Sequence, residues 1–237
     1  MIKTELVTKF YKKNSNVALE NFSYEFCDNT ITGLLGVNGA GKSTLLKILS
    51  LQLYPTSGTI LIDGKDAENN RENLKEKIGF VSENPQFYED FKVKELLKNT
   101  LDFYSNLSSY DEIVKKCSLQ DVTEKKIKTL SKGYRQRLSF ALALANNPQI
   151  LILDEPISGL DPVQISEIRN LITSFVKEKK NIVIFSTHII SEVNAICDKI
   201  VILNNGKIVS SGTEQEILKK TGQENIEKAF IFLTKET

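Results

Sequence analysis

Apolar and polar positions alternate early in the chain as they do in half-buried antiparallel strands: Phe22, Tyr24 and Phe26 fall on one face, Ser23 and Glu25 on the other. The run Ile31 to Gly36 is more uniformly apolar, and a helix-like run, Leu45 to Leu51, follows it. A short strand pair brackets the turn at Asp63 and Gly64. Charged, helix-like sequence then fills roughly Val93 to Ala145, with breaks near Ser108 and Ser131. Beyond it lie a dense β-type run, Ile150 to Leu153, a long helix-like stretch from Pro162 to Glu178, and another buried strand from Asn181 to Ser186. Strand, helix and strand in that rhythm predict a parallel sheet. Two last strands flank Asn204-Asn205-Gly206, a hairpin signal, and the tail from Glu214 to Thr237 reads as one helix and a second amphipathic piece. The expected fold is α/β: a mostly parallel sheet, an antiparallel β-subdomain near the start, and a helical subdomain inserted at about residues 85–145. With no repeat, low-complexity tract or linker, residues 1–237 are expected to form one continuous unit.

Between the apolar strand and the helix-like run stands Gly36-Val37-Asn38-Gly39-Ala40-Gly41-Lys42-Ser43-Thr44. Gly36, Gly39 and Gly41 let the backbone turn tightly and aim its N–H groups inward, building an anion nest at a helix N-terminus, with Asn38 inside the loop. Lys42 is then expected to reach the β- and γ-phosphates, Ser43 to offer its hydroxyl to Mg²⁺, and Thr44 to touch the inner phosphates. The full G-x₄-G-K-S pattern in this context predicts a P-loop NTPase core.

A chain of 237 residues buries roughly 70–75% of its unfolded surface and needs no covalent staples. Cys27, Cys117 and Cys197 are scattered without a C-x-x-C pair, so no zinc cluster or disulfide framework is suggested. The net charge of +1, with both signs interleaved, leaves no electrostatic footprint for nucleic acid or an anionic membrane. The start, Met1 to Phe10, lacks the apolar core of a signal peptide, and the apolar runs fall far short of the ~18 residues of a membrane-spanning helix. A cytoplasmic protein without direct membrane insertion is expected, any membrane role coming through a partner.

The discriminating residues lie downstream. Ile150-Leu151-Ile152-Leu153 leads directly into Asp154-Glu155-Pro156, leaving two acids at the C-terminal end of a buried strand, where open α/β sheets place their ligands. Asp154 is expected to hold Mg²⁺, directly or through water, and Glu155 to be the general base that polarises the attacking water.

Between these motifs, Leu130-Ser131-Lys132-Gly133-Tyr134 resembles the L-S-G-G-Q signature of the ATP-binding-cassette, or ABC, family, with Lys132 for the first of its two glycines and Tyr134 for its glutamine. The resemblance spans nearly the whole chain. It implies that Ser131 and Gly133 contact the γ-phosphate of ATP held by a second cassette, in a head-to-tail homodimer or paired cassette with nucleotide at the interface. Ser158-Gly159-Leu160-Asp161 resembles the loop that crosses that interface, with Asp161 as its acid. Ser186-Thr187-His188 resembles the segment whose histidine touches the γ-phosphate and positions water, and His188 is the only histidine in the chain. Tyr11 matches the aromatic that stacks on adenine. Glu83 stands where the family usually has a glutamine that ligates Mg²⁺ and reports to the membrane partner.

The resemblance implies an ATPase subunit that powers a separate integral membrane permease, peripheral at the inner face of the cell membrane, in an exporter-like branch. A non-transport ABC ATPase and a P-loop small-molecule kinase are the alternatives; a kinase would leave Leu130 to Tyr134 and His188 without a task, and no N/T-K-x-D guanine-reading motif is present. Phe87, Tyr88 and Phe91, just after Glu83, form either a docking surface for the permease or part of the packing of the helical insert.

Overall fold

The computed structural model describes residues 1–11, 17–105, 109–177 and 180–235. Strands β1 (Ile2–Lys9) and β2 (Leu19–Phe26) pair antiparallel, with Phe22 and Phe26 buried as the alternation requires. β3 (Thr30–Leu35) leads into α1 (Lys42–Leu49). β4 (Ser57–Ile62) and the two-residue β5 (Lys65–Asp66) follow, then α2 (Arg71–Lys75) and β6 (Ile78–Val81). Three helices come next, α3 (Val93–Phe103), α4 (Tyr110–Lys116) and α5 (Lys132–Leu144). The chain returns to the sheet at β7 (Ile150–Leu153), crosses by α6 (Pro162–Lys177) to β8 (Ile182–Thr187), and continues through α7 (Ile190–Ile196), β9 (Lys199–Asn204), β10 (Lys207–Gly212), α8 (Glu214–Thr221) and α9 (Ile226–Lys235).

Two sheets result. The antiparallel one has the order β2-β1-β4-β5, and the larger has β10-β9-β3-β8-β7-β6, parallel throughout except for the β9–β10 hairpin. α1 lies between the sheets: Leu45, Leu46, Ile48 and Leu49 share one apolar cluster with Ile2, Phe22 and Phe26 on one side and with Ile152, Ile184 and Val201 on the other. The opposite face of the parallel sheet is covered as well, because Leu151, Leu153, Val183 and Phe185 pack with residues of α3, α5 and α6. Burial on both faces is why these strands read as continuous apolar runs.

The middle stretch is less helical than its composition suggests. Residues 117–131, between α4 and α5, hold only two short 3₁₀ turns, Gln120–Val122 and Ile127–Thr129. Ser118, at φ 49°, turns the chain out of the helix. The carbonyls of Thr123 and Lys125 then accept from the first N–H groups of α3, Lys94 and Val93. Carbonyls turned toward the start of a neighbouring helix no longer line up along a helix axis of their own. The break expected near Ser108, the helix end at Glu178 and the last two residues of the tail lie outside the described residues.

Candidate nucleotide site

The turn from β3 into α1 ends on Gly41, which caps the helix at φ 103°. A β-carbon there would meet the Ala18 carbonyl oxygen at 2.4 Å, so neither backbone shape nor space admits another residue. α1 consequently starts at Lys42, ahead of the apolar run that begins at Leu45, and its free N–H end faces the loop. Lys42 is only 6% exposed. Its Nζ donates to the carbonyls of Gly36 (2.6 Å) and Val37 (3.3 Å) and lies 3.8 Å from Glu155 Oε1. Burial lowers the Lys42 pKa below the usual lysine range, opposed by the nearby charges of Glu155, Asp154 and Glu83.

The two-residue period of β7 decides where its acids point. Ile150 and Ile152 face α1, and so does Asp154, whose Oδ1 accepts from Ser43 Oγ of α1 at 3.1 Å. Ser186 of β8 donates to the same oxygen at 2.7 Å. Glu155 adopts φ 47°, leaving the strand direction, and its Oε2 lies 2.9 Å from His188 Nδ1. Asn38, Gly39, Gly41, Lys42, Ser43, Thr44, Glu83, Glu155 and His188 thus line one pocket of about 290 Å³. Tyr11 stands at its rim, 60% exposed, its hydroxyl 3.1 Å from Thr44 Oγ1.

A family model described as "ABC transporter" matches residues 19–158, more than half of the chain. The chain belongs to the ABC transporter family. It is 37% identical over 211 residues to a bacitracin transport ATP-binding protein of Bacillus licheniformis, covering 88% of this chain and 68% of that one. It is 36% identical over 231 residues to a lantibiotic transport ATP-binding protein of Streptococcus pyogenes, covering 97% and 96%. Among solved structures, a dimeric ATP-binding cassette in a post-hydrolysis state with ADP and Pi superposes with a TM-score of 0.81 at 28% identity, over 90% of this chain and 98% of that one. An ATP-binding subunit of an ABC transporter superposes at 0.87 over 98% of both chains; at 24% identity this likeness is one of fold. The architecture is therefore that of an ABC cassette, and the protein is an ATP-binding, ATP-hydrolysing transporter subunit. No described helix is long and apolar enough to cross a membrane.

Within the cassette, Ser131, Gly133 and Asp161 do not line the phosphate-loop pocket. Ser131 caps α5 by accepting from the Tyr134 N–H at 3.4 Å, and Asp161 caps α6 by accepting from the Gln164 N–H at 2.9 Å. The two helix starts touch: a β-carbon on Gly133 would meet the Gln164 side chain at 2.4 Å, and one on Gly159 would meet Lys132 Nζ at 2.5 Å. These residues form a second constellation. Of the two departures from the signature, Lys132 is taken up by that contact, and Tyr134 packs under the Arg137 guanidinium, 4.3 Å from the ring centroid.

The three aromatic rings after Glu83 separate. Phe87 is half-buried against the helical core beneath Arg135, whereas Tyr88 and Phe91 are exposed (73% and 39%) and stack on each other with centroids 5.5 Å apart. Two residues at the site carry no signal of their own in the sequence: Ala18 lines the pocket from a segment with no motif, and Ser186 stands only as the start of Ser186-Thr187-His188.

Proposed function

We propose that the pocket binds Mg-ATP and that Glu155 and His188 together prepare water for attack on the γ-phosphate. The observation that carries this reading is the 2.9 Å contact between Glu155 Oε2 and His188 Nδ1 in a pocket walled by the phosphate loop. Gly36, Asn38, Gly39, Gly41 and Lys42 cradle the phosphates, Thr44 meets the inner ones, and Tyr11 takes the adenine at the rim. Ser43, Asp154 and Glu83 supply hydroxyl and carboxylate oxygen, a donor set that suits Mg²⁺. When bound, the cation neutralises charge on the β- and γ-phosphoryl oxygens.

Ser131, Gly133 and Asp161, away from this pocket, act on ATP bound to a second cassette. The nucleotide then joins two copies, or this chain and a paired cassette, through a two-fold interface. The single domain, residues 1–237 with its helical subdomain at about 85–145, drives a separate integral membrane permease from the cytoplasmic face. Tyr88 and Phe91, a few residues after Glu83 in the chain, offer the permease an exposed aromatic surface. The cassette is read as exporter-like, and the two relatives named for bacitracin and lantibiotic transport support cargo of that kind.

The test is Glu155→Gln, which keeps the side chain's shape but removes its basicity. Purified with saturating Mg-ATP, this variant is expected to release phosphate at least 100-fold more slowly than the parent and to accumulate as a dimer. Parent-like turnover overturns the assignment of Glu155. A monomer at saturating ATP overturns the role of Ser131 in trans.

A further inference from the structure

We propose that Ser186 is a positioning residue for ATP hydrolysis, its buried hydroxyl tying the backbone of Glu155 to the carboxylate of Asp154 and so holding Glu155 against His188. The proposal rests on the reading of Glu155 as the base. β7 is paired with β8 in parallel register up to Leu153 and Phe185, and with β6 up to Leu153 and Val81. The Asp154 N–H still reaches the Val81 carbonyl at 2.8 Å. At Glu155 the chain leaves the sheet with φ 47°, a left-handed conformation in which a residue bearing a β-carbon is strained. Its N–H takes the Ser186 hydroxyl, at 2.9 Å, in place of a strand carbonyl.

The directions of these bonds follow from the groups involved. An amide N–H only donates and an ionised carboxylate only accepts, so the Ser186 oxygen receives the Glu155 N–H while its own proton goes to Asp154 Oδ1 at 2.7 Å. Ser186 has no exposed surface, which leaves no ready route for solvent to replace either bond. One hydroxyl thereby couples the two consecutive acids: Asp154 is held beside Ser43 of α1, and Glu155 is aimed at His188. Ser186 itself does not line the pocket, so it reaches the reaction only through the two acids it joins.

The test compares Ser186→Ala and Ser186→Thr in the parent and in a Glu155→Gln background. Ser186→Ala is expected to lower kcat at least ~10-fold while KM and the affinity for ATP in EDTA, by calorimetry, stay within about two-fold of the parent. Ser186→Thr, which keeps a hydroxyl on a strand, is expected to recover kcat to within about three-fold. In single-turnover hydrolysis the alanine change is expected to cost several-fold less once Glu155 is glutamine, since the part of its effect that passes through Glu155 is already lost. Parent-like kcat in Ser186→Ala, a threonine variant as slow as the alanine one, or an equal fold-loss in both backgrounds would each overturn the proposal. Full turnover in Glu155→Gln alone would instead remove the reading of Glu155 as base, whatever Ser186 does.

Discussion

His188 Nδ1 and Glu155 Oε2 lie 2.9 Å apart, joining the only histidine of the chain to the second of its two strand-end acids. An ionised carboxylate only accepts, so Nδ1 of His188 is the donor in this contact. His188→Ala is expected to retain ATP affinity while turnover falls by about 10² or more, in the range of a lost general acid–base partner. Phosphate release set beside calorimetric ATP titration checks the split, and unchanged kcat would remove His188 from the reaction.

Among the described residues, Lys42 is the only Lys or Arg that lines the pocket. Lys42→Ala removes a charge-assisted contact to phosphate and is expected to weaken ATP binding by roughly 1.5–3 kcal/mol, about 10- to 150-fold. Equal affinity of variant and parent in calorimetry would exclude a phosphate contact.

The same lysine makes a prediction about the nucleotide-free protein. Its folded pKa lies below the unfolded value of 10.5, so the unfolded chain binds more protons between the two values and stability rises with pH there. Below the folded value the buried charge carries its full penalty, and that penalty vanishes as pH rises to the unfolded value. Relative to Lys42→Met, the Tm of the parent is therefore expected to rise on approaching pH 10.5. A Tm difference independent of pH in that window would argue against the lowered pKa.

Tyr88 and Phe87 are neighbours with opposite surroundings, and their alanine variants are expected to differ accordingly. Tyr88→Ala leaves Tm and basal ATPase near those of the parent and reduces co-purification with the permease. Phe87→Ala, which removes a ring packed against the helical core, costs roughly 1–3 kcal/mol of stability. Undiminished permease assembly by Tyr88→Ala would move the docking surface elsewhere.

Thiol chemistry gives a check on the fold. Cys27 is exposed, whereas burial pushes the Cys117 thiol up to about 12 and raises that of Cys197 as well. Alkylation of the native protein near pH 8, read by mass spectrometry, is expected to modify Cys27 first, the other two following on unfolding. Rapid modification of Cys117 would contradict its buried place at the end of α4.

Local chemistry alone determined much of this molecule. The spacing of Gly36, Gly39, Gly41 and Lys42 demands a tight turn into a helix, and the apolar run closed by Asp154 and Glu155 demands a buried strand with acids at its end; both stand where expected because each signal lies within a few neighbouring residues. α6 and the hairpin around Asn204-Asn205-Gly206 were legible for the same reason. Residues 117–131 were not, since their backbone is committed to α3, a contact no local pattern records. Nor did the pattern of three nearby rings separate Phe87 from Tyr88 and Phe91, because which ring is covered depends on where Arg135 and the helical core arrive. The tertiary structure alone decided that Ser186, 32 residues from Asp154, lies between that carboxylate and the backbone of Glu155. Adjacent parallel strands bring their ends together across a whole crossover helix, so the closest partners in the site are far apart in the chain and carry no shared spacing to read.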